Sequence, residues 1–161
     1  MDSLKTKTYL KILFCLSLSI LMAAFAIQYL FDYQPCRLCI IERVPYALAI
    51  AILILNYKFK KDQIFYSVLL MLIFAFSFLI SIYHLGIEQG FINESNVCGN
   101  NQADLIIKED ILKSLQEINI NCKDVAFTIF NLSLTTYNMF ASILMFLIST
   151  KIYLINNENK K

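Results

Sequence analysis

The stretch Gln34-Pro35-Cys36-Arg37-Leu38-Cys39-Ile40-Ile41-Glu42-Arg43 sets a C-x-x-C pair in a short gap between two long apolar runs. Pro35 cannot continue a helix arriving from residue 31, but it suits the position just ahead of a new first turn. Cys36 and Cys39 are therefore expected in or beside the first turn of the helix that carries residues 40–57. Unpaired backbone N–H groups and the positive end of the helix dipole favour thiolate over thiol at such a place. Arg43 lies four residues after Cys39, so one continuous helix would bring it to the same face and add a fixed positive charge. The stretch reads as a redox centre at a membrane surface. C-x-x-C alone also describes zinc sites and plain structural disulfides, so its surroundings have to decide.

Of the 161 residues, 58% are hydrophobic, with three Gly, two Pro and no Trp, a composition too apolar for an ordinary soluble domain of this length. The expected fold is an all-α membrane protein, a four-transmembrane-helix bundle forming a single membrane domain over residues 1–161. Its spans are expected at about residues 9–31, 40–57, 64–85 and 137–155, each close to the ~20 apolar residues a bilayer core demands. Ala24-Phe25-Ala26 resembles a signal-peptide cleavage site, but apolar residues continue through Ile27, Tyr29, Leu30 and Phe31, which favours a retained span. Cys15 falls in mid-span, where a thiol behaves as a small hydrophobe, and it is assigned no role. Pro45 frees the carbonyl of Ile41 and is expected to kink the second span. Lys151 is placed to snorkel to the surface. No basic patch interleaved with aromatics points to nucleic acid, and neither a Gly-rich phosphate loop nor an internal repeat is present.

Charge sets the orientation. Nine lysines (residues 5, 7, 11, 58, 60, 61, 151, 160 and 161) fall on one side of the spans against Asp2, Asp62 and Glu158. The other side carries Arg37, Arg43, Lys108, Lys113 and Lys123 against nine carboxylates. The positive-inside rule then puts both termini in the cytoplasm and the outer loops, about 32–39 and 86–136, on the far side, where disulfides are tolerated. The longer loop holds Cys98 and Cys122. Between them, residues 103–118 carry Ile107, Ile111, Leu115 and Ile118 at helical spacing, with Glu109 and Lys113 as an i,i+4 pair. This predicts a short amphipathic helix lying in the plane of the interface. Residues 127–134 are apolar and are expected at the membrane surface too.

Four outward cysteines allow three pairings, and spacing does not choose among them. A four-thiolate zinc site prefers two closely spaced pairs, which Cys98 and Cys122 are not. Two inert staples would suit Cys98 and Cys122, where closing such a loop contributes roughly 3 to 4 kcal/mol in the chain-entropy model. A Cys36–Cys39 bond closes a loop too small to constrain the unfolded chain, and short C-x-x-C disulfides are more often active in exchange. Two dithiol pairs on one face, one anchored at a span and one on a long segment, suit an electron relay from water to lipid.

At this point the residues match a known family. Pro35-Cys36-x-Leu38-Cys39-Ile40-x-Glu42-Arg43 at the mouth of the second of four spans resembles the DsbB family, disulfide bond formation protein B. The likeness continues in Tyr83-His84-x-Gly86-Ile87-Glu88-x-Gly90-Phe91, in Cys98 and Cys122, and in Asn131-Leu132-Ser133-Leu134 and Thr136-Tyr137-Asn138 before the last span. The resemblance implies a protein of the bacterial inner membrane that reoxidises a soluble periplasmic DsbA-like dithiol protein of thioredoxin fold. It implies that two electrons pass to a membrane quinone, ubiquinone or menaquinone, with no metal.

By the same resemblance, the partner's thiolate attacks Cys98 and releases Cys122, which attacks Cys36 and leaves Cys39 as the thiolate facing the quinone. Arg43, His84 and Glu88 are implied as quinone-binding residues, Arg43 by stabilising negative charge. Arg37 inside the C-x-x-C is a departure, since a second positive charge there favours the thiolates. Two other readings remain: a disulfide-stapled membrane protein without chemistry, and a quinone reductase resembling the vitamin K epoxide reductase group. In that group the quinone-facing C-x-x-C lies on the last span, which here has no cysteine.

Overall fold

The four apolar runs fold as helices, and the short gap between the first two becomes a helix of its own. The computed structural model describes residues 2–32, 34–59, 63–93, 122, 128–129 and 132–158. In chain order the elements are α1 (Asp2–Leu30), α2 (Arg37–Ile41), α3 (Val44–Phe59), α4 (Gln63–Glu88), β1 (Thr128–Ile129), β2 (Leu132–Ser133) and α5 (Leu134–Glu158). Four segments are long and apolar enough to cross a membrane: Thr6–Leu30, Arg37–Lys58, Gln63–Glu88 and Leu134–Glu158. The all-α, four-span fold expected from the sequence is therefore present. The third span runs further than expected, to Glu88, and the fourth begins earlier, at Leu134. The amphipathic helix expected over 103–118 and Cys98 lie outside the described residues.

The second span departs from the expectation of one continuous helix. Glu42 N–H still bonds the Leu38 carbonyl at 2.9 Å, but Arg43 N–H reaches only to Ile40 at 3.1 Å, a tighter turn. Pro45 has no N–H to return to Ile41, so the ladder breaks at Glu42–Arg43 and restarts in α3. Cys39 and Arg43 accordingly do not share one helical face.

Burial runs opposite to that of a soluble protein. Phe65, Leu72, Phe76, Leu79, Phe140, Leu144 and Leu147 are exposed, while serines 17, 67, 77, 81, 142 and 149 are buried. Lipid tails solvate the former, and the latter, apart from Ser17, find partners inside. α4 and α5 form the most extensive helix pair. The buried positions of α4 (Ser67, Leu70, Phe74, Ser77, Ser81, His84) advance by alternating steps of three and four. On α5, Ser142, Met145, Ser149, Ile152 and Asn156 do the same. That period is the seam of shallow-angle helix packing, and small hydroxyl residues let the two backbones approach. Ser81, Ser149 and Thr150 each donate to the carbonyl four residues back, at 3.0, 2.8 and 2.9 Å, so no hydroxyl among them is stranded. Apolar filler comes from Leu13, Tyr46, Ala49, Leu70, Phe74, Met145 and Ile152.

Two devices fix the C-terminal end of α4 and the start of α5. α4 closes in a glycine-capped turn: Gly90 has φ +76°, its N–H bonds the Ile87 carbonyl at 3.0 Å, and Phe91 N–H bonds the Gly86 carbonyl at 2.9 Å. Gly86 itself lets Ile92 fold back, since a Cβ there would lie 2.7 Å from Ile92 Cδ1. At the start of α5, Ser133 Oγ accepts from the Thr136 backbone N–H at 3.3 Å, an N-cap. The 127–134 stretch is partly a two-residue antiparallel ladder pairing Thr128 with Ser133 and Ile129 with Leu132. Together these devices bring the tops of α4 and α5 beside α2.

Candidate redox site

Cys36 is the N-cap of α2, in extended conformation, and its sulfur accepts from the Cys39 backbone N–H at 3.1 Å. The expectation that the pair sits at a helix start is met. A donor aimed at Sγ stabilises negative charge on that sulfur whenever the disulfide opens. Cys36 and Cys39 are joined in a disulfide, with Cα atoms 5.1 Å apart. Cys36 is buried and Cys39 half-buried, so the two sulfurs have different access. Cys36 packs in one cluster with Leu38, Ile87 and Cys122, flanked by Tyr83. Cys122 is buried and is itself disulfide-bonded. Cys15 is a free cysteine on the exposed face of α1.

His84 is the centre of the polar contacts. It is 1% exposed, and its Nε2 lies 3.6 Å from Cys36 Sγ. Its Nδ1 lies 3.2 Å from Glu42 Oε1 and 3.3 Å from Thr135 Oγ1. Thr135 donates its hydroxyl hydrogen to Glu88 Oε1 at 2.6 Å, so toward His84 it accepts. A carboxylate at Glu42 also only accepts. Both neighbours therefore assign the hydrogen to Nδ1, which turns the Nε2 lone pair toward the Cys36 sulfur. Glu88 Oε1 is 3.9 Å from His84 Nε2, one helical turn along α4, so the shared face expected for the two residues exists. Glu88 Oε2 is buried and has no hydrogen-bond partner.

Arg43 points elsewhere. It donates to Gln28 Oε1 and, at 3.4 Å, to the Ala24 carbonyl, and its guanidinium lies 5.3 Å from the Phe25 ring centroid. These partners are all on α1, which follows from the break at Glu42–Arg43. The broken turn sends Glu42 inward to His84 and Arg43 sideways to α1. A second polar set lies deeper: Tyr46 donates to Asn138 Oδ1, and Asn138 donates to Ser81 Oγ at 2.8 Å. On the lipid side, a groove of about 290 Å³ runs between α2–α3 and α4, lined by Ile41, Pro45, Leu48, Leu72 and Phe76 among others.

The sequence did not single out Glu42 or Thr135 as partners of His84. Glu42 sits in the quoted motif but reads as a charge at a span end. Thr135 lies between two quoted blocks without standing out. The available signal was the seven-residue spacing from Thr135 to Ser142, which places it on the inward stripe of α5.

A C-x-x-C disulfide capping a helix at the end of a membrane span, backed by a buried imidazole, defines a multi-pass membrane protein built for dithiol–disulfide chemistry. The family model described as Disulfide bond formation protein DsbB matches residues 6–152, and the chain belongs to that family. Family membership makes it a disulfide oxidoreductase that takes part in disulfide formation. Uncharacterized protein RP370 of Rickettsia prowazekii (strain Madrid E) is 26% identical over 157 residues, covering 92% of this chain and 88% of that protein. No solved structure matches the chain.

Proposed function

We propose that this protein reoxidises a periplasmic DsbA-like dithiol protein of thioredoxin fold and delivers the two electrons to a membrane quinone. Both termini are then cytoplasmic and the cysteine loops periplasmic, as the lysine distribution supports. The observation that carries this reading is the burial of Cys122 and Cys36 in one packed cluster, with Cys39 left half-buried at its edge.

The relay runs inward. A thiolate of the partner attacks Cys98, the mixed disulfide forms, and Cys122 leaves as thiolate. Cys122 then attacks Cys36, and the Cys36–Cys39 bond breaks with its electron pair on Cys39. The partner's second thiol resolves the mixed disulfide at Cys98 and departs oxidised. Attack of Cys98 on the Cys36–Cys122 bond restores the outer disulfide and leaves Cys36 and Cys39 as the reduced pair. Throughout, the Cys39 backbone N–H stabilises charge on Cys36, and His84 Nε2 takes the proton that a Cys36 thiol must lose before the pair closes again.

The residues around the pair fit a quinone. The apolar groove starts at Ile41, two residues from Cys39, and suits an isoprenoid tail. Arg43 would hold a quinone oxygen by charge only after its guanidinium leaves Gln28 and Ala24 of α1, while His84 and Glu88, behind Cys36, handle protons. When bound, a quinone supplies the sink for two electrons and two protons.

The test is turnover of purified protein with a reduced partner and a quinone. Cys39→Ser should abolish turnover, and retained activity would refute the relay. Arg43→Ala should weaken quinone reduction, and an unchanged rate and apparent quinone affinity would remove Arg43 from the site.

A further inference from the structure

We infer that the reduced Cys36–Cys39 pair, with His84, forms a binding site for a zinc-class divalent cation that locks the pair in its dithiol state. The Cys36 and Cys39 sulfurs and a His84 ring nitrogen all lie within 4.8 Å of one another. Zinc arms of about 2.3 Å to sulfur and about 2.0 Å to nitrogen, at a tetrahedral angle, require a sulfur–nitrogen edge of about 3.5 Å. Cys36 Sγ and His84 Nε2 are 3.6 Å apart. A C-x-x-C opening a helix turn is a common way to place two thiolates on one ion. Reduction frees the sulfurs to separate to the edge that such an ion needs.

Two independent features point to an ion rather than to an isolated histidine contact. First, Nδ1 of His84 is held by Glu42 Oε1 at 3.2 Å and by Thr135, so Nε2 presents its lone pair. A carboxylate on the far nitrogen is the arrangement that orients metal-binding imidazoles and raises their basicity. Second, Glu88 Oε2 is buried without a partner, and Oε1 of the same carboxylate lies 3.9 Å from Nε2. A buried orphan oxygen beside the imidazole can accept a hydrogen bond from a water held at the ion's fourth position.

Binding displaces two protons from the thiols, and the two thiolates neutralise the ion, so little charge is buried. A disulfide offers no thiolate, so the oxidised pair does not bind. The ion therefore selects the reduced state and withholds both sulfurs from reoxidation. The site stands on its own geometry; only its inhibitory consequence rests on the proposed relay.

The probe is cobalt(II), then zinc(II), added to full-length protein in detergent micelles. Cys15, Cys98 and Cys122 are replaced by Ser, and the remaining pair is reduced with dithiothreitol that is then removed without oxygen. One equivalent of cobalt should give the visible bands of a tetrahedral site and a near-ultraviolet sulfur-to-cobalt band, both displaced by zinc. The oxidised protein should give neither. His84→Gln should abolish the tetrahedral spectrum, and Glu42→Gln should weaken zinc binding by ~10–100-fold. Circular dichroism and reformation of the 36–39 disulfide show that each variant has folded. An absent spectrum, or one that folded His84→Gln leaves unchanged, would overturn the site. In the wild-type protein, zinc should stop turnover after one reduction. A spectrum with unimpaired turnover would leave the site standing and count against the relay.

Discussion

Thr135→Val removes one hydroxyl from the polar cluster around His84 while keeping nearly the same volume. That hydroxyl donates to Glu88 Oε1 at 2.6 Å and accepts from His84 Nδ1 at 3.3 Å. Thr135 is 3% exposed, so water does not replace it. A hydrogen bond to a charged acceptor contributes about 1.5–3 kcal/mol in a water-solvated protein. Between membrane helices the average coupling is nearer 0.6 kcal/mol, with a maximum near 1.7, because the unfolded chain in lipid also finds partners. Among the described residues Glu88 has no second donor, and its other oxygen is already unpartnered. The expected coupling is therefore at the upper end, about 1.5 kcal/mol. The assay is a double-mutant cycle with Glu88→Met, read by reversible unfolding in mixed micelles with far-ultraviolet circular dichroism. Thr135→Val should cost about 2 kcal/mol alone and about 0.5 kcal/mol in the Glu88→Met background. Losses that simply add would refute the claim that Thr135 acts through Glu88.

Gly90→Ala should lower stability by about 1 kcal/mol, because φ +76° is left-handed and strains any residue with a Cβ; unfolding midpoints measure it. Tyr46→Phe should cost about 1 kcal/mol in the same assay, as it leaves Asn138 Oδ1 without the phenol donor. Cys15→Ala should change stability by less than about 0.5 kcal/mol and leave turnover intact, since Cys15 is a free cysteine on the exposed face of α1.

The four spans were legible because a run of apolar residues long enough to cross a bilayer has few other readings. The position of Cys36 and Cys39 at a helix start was legible because Pro35 and the free N–H groups after it act locally. The break after Glu42 was half legible: Pro45 announced a kink, but the direction each side chain took afterwards depends on α1 and α4. The approach of His84 to Cys36 crosses 48 residues of sequence and is set by how α4 packs beside α2, which no local pattern encodes. The two-residue ladder at 128–133 is too short to show a strand period.

The inward stripe of α4 was readable, though against habit. In water, Ser67, Ser77, Ser81 and His84 at steps of ten, four and three would be read as the solvated face of an amphipathic helix. In lipid the same period reverses its meaning, because hydroxyl and imidazole groups have partners only inside the bundle. The stripe then runs from Ser67, which accepts from Asn156 at 3.2 Å, through Ser77 and Ser81 to His84 under the disulfide. Each of its small residues lets α5 come closer, and the closeness carries Thr135 to within 3.3 Å of the imidazole. The hydroxyls that hold the bundle together are thus the reason that a histidine in the third span can address a sulfur at the mouth of the second.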